Sequence, residues 1–180
     1  NASSAVLARF VDASQLECVT PLHSLGAKAV LLSMNAQQYS RGGDVRYTYQ
    51  PAAAVSHVSP SAAPSEGGTP LTVHGGGFSS ASESLGVLTC RIGGAVRRAV
   101  WASALAIVCN ATRAPAGASR VEVSNNAREY TSSGVRVRLV SLRVVDVQPW
   151  SGPLGGATVV GVRAYGVWAG GVRCRFGEAP

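Results

Sequence analysis

The tetrad His74-Gly75-Gly76-Gly77 copies the backbone-donor motif that forms the oxyanion hole of some esterases. That chemistry needs a serine on a Gly-x-Ser-x-Gly elbow between a strand and a helix, and the chain has no such elbow. The tetrad therefore reads as a glycine-rich turn whose backbone needs positive φ. Cys18, Cys90, Cys109 and Cys174, with His23, His57 and His74, are the candidate metal ligands. Zinc requires converging ligands, but the histidines are isolated and no Cys-x-x-Cys is present, so neither a metal nor a cofactor is expected. Asp12, Asp44 and Asp146 fall at turn-like or junction positions where calcium could sit, though solvated carboxylates are the simpler reading. There is no Walker loop and no dinucleotide fingerprint. Asn1-Ala2-Ser3 and Asn110-Ala111-Thr112 are glycosylation sequons, Asn110 lying where a strand should end. These residues point away from an enzyme.

The elements that would position them follow from composition and repetition. The 180 residues are 46% apolar and 14% charged, too apolar for a disordered chain and too broken by glycine and proline for a long helix. No apolar run is long enough to cross a membrane as a helix, and the first residues lack the pattern of a signal peptide, as expected of a mature secreted chain or an internal fragment. Sixteen Lys+Arg against nine Asp+Glu give a net charge of +7, favouring anionic partners such as acidic glycans. Arginine is scattered rather than blocked; GC-rich codons explain its abundance, and no basic run suggests nucleic acid.

Asn35-Ala36-Gln37-Gln38-Tyr39-Ser40 matches Asn126-Ala127-Arg128-Glu129-Tyr130-Thr131 at an offset of 91, with Cys18 on Cys109 and Phe10 on Trp101. A second set runs forward: Val58-Ser59-Pro60 matches Val147-Gln148-Pro149 at 89, Gly67-Gly68-Thr69 matches Gly155-Gly156-Ala157 at 88, and Cys90-Arg91-Ile92-Gly93 matches Cys174-Arg175-Phe176-Gly177 at 84. The first set pairs the start of the chain with the back half of a repeat; the second pairs its end with the front half. The expected organisation is half a repeat over residues 1–50, a whole one over 53–140 and another half over 142–180.

Within the whole repeat, period-two alternation and turn residues predict strands at Leu71–His74, Val87–Ile92, Ala95–Trp101, Leu105–Cys109, Arg120–Ser124 and Val135–Leu139, with no helix. Short strands between frequent turns predict a β-sandwich. Trp101 and Phe10 take core positions in it. Arg136 and Arg138, with Arg143, form its solvated face. In the third repeat the corresponding strand is expected at Ala157–Val162.

Val58-Ser59-Pro60, then Gly67-Gly68-Thr69-Pro70-Leu71-Thr72-Val73 and Gly75-Gly76-Gly77-Phe78, resembles the opening of an IPT/TIG domain. Cys90-Arg91-Ile92-Gly93-Gly94, Val108-Cys109 and Val121–Asn126 resemble its middle and end. Leu16–Pro21 is similar to the family's second-cysteine segment, and Val172–Gly177 to its first. The resemblance implies an all-β fold of tandem immunoglobulin-like sandwiches, one complete and two partial. Members occur in plexin- and Met-like receptors, ciliary and bacterial surface proteins and Rel-type transcription factors, and the fold alone does not choose among these roles.

Within that frame Cys90 and Cys109, on neighbouring predicted strands, are expected to form a disulfide contributing about 3 kcal/mol; the alternative is a pair of buried free thiols in a cytosolic domain. Cys18 and Cys174 are expected to pair outside this segment, and Asn110 and Asn1 to carry glycans if the chain is secreted. The function expected is a non-enzymatic spacer and adhesive segment of an extracellular or cell-surface glycoprotein, ciliary or fibrous. Its partners would be neighbouring domains of the same type, other surface or fibril proteins, or further copies of itself. A receptor ectodomain, or an intracellular Rel-type dimerisation and DNA-binding module, is the alternative.

Overall fold

The structure is a computed structural model and describes residues 5–41, 44–167 and 172–177. The chain divides into two compact units, 1–51 and 52–180.

In the first unit β1 (Ala8–Asp12) and β2 (Gln15–Cys18) form an antiparallel ladder with a bulge between Phe10 and Asp12. A second ladder joins β3 (Gly26–Ala29) to β4 (Arg46–Tyr49). Among the described residues neither ladder has a sheet packed across it, and Phe10, expected in a core, is 69% exposed.

The second unit holds the sandwich. Its strands are β5 (Ala54–Ser59), β6 (Ala62–Pro64), β7 (Pro70–Gly76), β8 (Thr89–Ile92), β9 (Ala95–Arg98), β10 (Val100–Ser103), β11 (Ala106–Asn110), β12 (Gly117–Ser124) and β13 (Arg136–Val140). One sheet has the order β10-β11-β7-β5; the other has the order β6-β13-β12-β8-β9. Alternation fixes which residues face inward. Leu71 and Val73 of β7, Ile107 of β11, Ile92 of β8, Val121 and Val123 of β12, and Val137 and Leu139 of β13 are fully buried between the sheets. Each such side chain contributes about 1.5–3 kcal/mol relative to exposure.

Three expectations are corrected here. The run Ala95–Trp101 is two strands, not one. β9 closes a two-residue Gly93-Gly94 hairpin against β8, while β10 pairs with β11 in the facing sheet. The chain changes sheet at buried Ala99, which alternation alone does not reveal. Second, the fold is not purely β: a single turn, α1 (Ser80–Ser84), sits between β7 and β8. The Ser79 side chain caps it by accepting from the Ser82 amide, and five residues are too few to show a helical period. Third, β14 (Arg143–Gln148) pairs with β15 (Gly161–Tyr165), so the strand expected at Ala157–Val162 begins later.

Local geometry recurs along the chain. The bulge of β5 between Val55 and His57 reappears in β14 between Val144 and Asp146, 89 residues on. Phe10↔Leu16 repeats Trp101↔Ile107 at 91, bulge included. Ala36 and Ala127 both lie at φ +58. Each follows an asparagine (Asn35 or Asn126) whose Oδ1 accepts the amides two and three residues ahead. The left-handed pair Gly67-Gly68 recurs as Gly156-Ala157, which moves the sequence register from 88 to 89.

Candidate functional site

β8 and β11 place Cys90 and Cys109 on opposite inner faces of the sandwich, both fully buried, with Cα atoms 6.4 Å apart and their sulfurs bonded. The two strands lie in facing sheets rather than side by side as the sequence suggested, so the bond ties one sheet to the other. Cys18 ends β2 and is exposed; Cys174 is also exposed, and both are free thiols. Cys18 stands at the position of Cys109 in the recurring ladder, and Cys174 corresponds to Cys90 by sequence alone.

Asn110 follows directly. It is the last residue of β11, opposite Pro70, and its side chain is exposed. Thr112 of the same sequon is buried, and its Oγ1 has no hydrogen-bond partner among the described residues. Asn1 lies outside the described residues. A shallow groove beside Asn110 is lined by Gly86, Thr89, Val96, Arg97 and Arg98.

The His74-Gly75-Gly76-Gly77 tetrad is mostly strand, correcting its reading as a turn. Gly75 and Gly76 pair with Val55 and Ala54 of β5, and only Gly77 takes positive φ, at +73. Gly75 is glycine because the Ala54 carbonyl lies where a Cβ would go. His74 stacks on His57 across the strands, ring centroids 4.3 Å apart and 4° from parallel. His23 lies against Tyr49 in the first unit. Among the described residues no three His, Cys, Asp or Glu side chains gather as a metal set.

Asp12 closes the β1–β2 turn. The Ser14 hydroxyl and amide both donate to its Oδ1, and these bonds, the side-chain one foremost, hold its carboxyl below the ordinary value. Asp146 lies within β14, not in a turn, and its Oδ1 accepts from the Val147 amide. Asp44 is exposed.

Trp101 is half-buried against the core. Its indole N–H donates to the Phe78 carbonyl and its amide donates to Glu83 of α1. Sequence reasoning missed one cluster: Arg91 donates to Glu122 across β8 and β12, at 2.8 Å from Nε and 2.6 Å from Nη2, and lies 4.2 Å over the Tyr130 ring. Thr89 hydrogen-bonds the Tyr130 hydroxyl. Alternation in β8 and β12 was legible, but their mutual register was not. Arg143, grouped with Arg136 and Arg138 from sequence, sits on β14 in a different ladder.

Two sheets of this strand order, closed by α1 and joined through Cys90–Cys109, coincide with a match of residues 53–137 to the family model described as the IPT/TIG domain. Residues 53–137 are an IPT/TIG domain. The match covers this domain once; the ladders outside residues 53–137 are small additional sheets. No curated protein matches the chain. Among solved structures, the full extracellular region of Plexin A4 (domains 1 to 10) is similar at 18% identity over 59% of this chain, with a TM-score of 0.43. A second Plexin A4 structure, with domains 1 to 8, aligns at 18% identity over 54% of this chain, with a TM-score of 0.41. The aligned region is 9% of each plexin chain.

Proposed function

We propose that the chain is a non-enzymatic structural and adhesive segment of an extracellular or cell-surface protein, ciliary or fibrous, built of tandem IPT/TIG repeats. In this reading residues 1–50 and 142–180 are halves of further repeats flanking the domain at 53–140. The observation that carries it is the recurrence of ladder register and bulges at offsets of 91 and 89, with Cys18 falling on Cys109 in the first. Counterparts of buried residues support it. Leu16, Val144 and Val162 stand where the whole domain buries Ile107, Val55 and Val73, and all three are exposed here. Apolar faces of that kind are covered when a repeat is whole. The partners proposed are neighbouring repeats, other surface or fibril proteins and further copies of the chain. Cys18 and Cys174 take partners outside residues 1–180.

The disulfide supports an oxidising compartment. Intact mass of native material, measured with and without reductant and glycosidase, tests this. The expected result is a Cys90–Cys109 bond and sugar on Asn110. Free thiols at all four cysteines with a bare Asn110 would overturn the proposal and favour an intracellular module.

A further inference from the structure

Every strand-borne arginine of the IPT/TIG domain lies in one sheet. Arg91 is on β8, Arg97 and Arg98 on β9, Arg120 on β12, and Arg136 and Arg138 on β13. The strands of the facing sheet carry no Asp, Glu, Lys or Arg. Register then sorts the faces. Arg120 stands opposite Arg136, Arg91 opposite Glu122 and Arg98 opposite Thr89, while Val121, Val123, Val137 and Leu139 point into the core. Arg91, Arg98, Arg120, Arg136 and Arg138 therefore share the outer face.

Glu122 is the one carboxylate on the strands of this sheet, and Arg91 takes it. Arg98, Arg120, Arg136 and Arg138 are exposed and have no ion pair among the described residues. Like charges directly opposite on an antiparallel pair are destabilising, and Arg120 and Arg136 are such a pair, with Arg138 beside them. The repulsion is relieved when a multivalent anion lies across the face. Register and strand spacing place the Cα atoms of Arg120, Arg136 and Arg138 about 5–8 Å from one another, with Arg98 about 16 Å from Arg120 along the diagonal that runs from β13 to β9.

We propose that this outer face binds a linear acidic polysaccharide, whose sulfates or carboxylates recur along an extended chain. The face is made of strands, with no helix among them to enter a nucleic-acid groove, and the Tyr130 ring, which a base would need for stacking, is covered by Arg91. The proposal is independent of whether the flanking segments are repeats.

The test uses the whole 180-residue chain with heparin and polygalacturonate as probes, duplex DNA as the competing class, and neutral dextran as the blank. The acidic polysaccharides bind, and binding weakens with salt. R120S/R136S/R138S lowers affinity at least tenfold and reduces the salt slope by about two to three. R41S/R143S/R163S, which removes the same charge elsewhere, changes affinity less than twofold. R120K/R136K/R138K retains binding, and amide shifts in the unaltered chain map to β9, β12 and β13 should the serine variant fail to fold. Equal losses in the two serine variants, shifts confined to other strands, tighter binding to DNA, or no binding at all would each overturn the proposal.

Discussion

The carbonyl oxygen of Ala54 occupies the space into which a side chain on Gly75 would project. This close approach holds β5 against β7 at the sheet edge, beside the stacked pair His57 and His74. Gly75→Ala forces the strands apart and is expected to cost several kcal/mol, in the range of severe core lesions. At Gly76 a Cβ meets nothing within 4 Å, so Gly76→Ala is expected to change stability by less than about 1 kcal/mol. Urea denaturation of the two variants checks the contrast; equal losses would mean the Ala54 contact does not control the site.

The covalent link between the sheets makes a second expectation. Replacing Cys90 and Cys109 together with alanine frees the unfolded chain and leaves a gap in the core. Stability should fall by about 3 kcal/mol or more. Thermal unfolding with and without reductant measures this. Reductant should destabilise the parent but leave the double variant unchanged.

Ala127 sits at φ +58, where a Cβ is unfavourable, because the Asn126 side chain shapes the turn by accepting from the Arg128 and Glu129 amides. Ala127→Gly relieves that strain. We expect a gain of up to about 1 kcal/mol, offset in part by the greater freedom of glycine in the unfolded chain. Ala36→Gly acts on the same turn in the first unit.

Legibility from sequence differed by element. The alternation in β13, with Arg136 and Arg138 out and Val137 and Leu139 in, was readable because one strand with one buried face imposes period two. The positions of Cys90 and Cys109 were readable too, but not their placement in facing sheets. That depends on the crossing at Ala99, where a small buried residue looks like any other strand position. The short helix Ser80–Ser84 left only its serine cap as a signal. The shared outer face of Arg98, Arg120 and Arg136 required the pairing of three separate strands, which no local pattern contains.

Asp12 supplies a pH expectation. Its carboxyl is held below the ordinary aspartate value of 3.8 by the Ser14 hydroxyl and amide. A depressed carboxylate contributes its turn bonds fully above the unfolded value and loses them as pH falls through the lowered one. Carboxyl titration by NMR should give a midpoint under 3.8, and Ser14→Ala should move it up toward that value. A parent midpoint at or above 3.8 would contradict the hydrogen bonding seen in this turn.

The bond from β8 to β11 also governs what happens under load. Tension entering near residue 53 and leaving near 140 passes through the sulfurs, bypassing the residues between Cys90 and Cys109. Those residues, holding the Gly93-Gly94 hairpin and the sheet crossing, stay slack even when the rest of the domain is drawn out. With 19 residues of sequence separation short-circuited, each pulled domain gives up roughly 60 Å of contour length that a reduced one would release. Redox state would then set how far the chain can stretch.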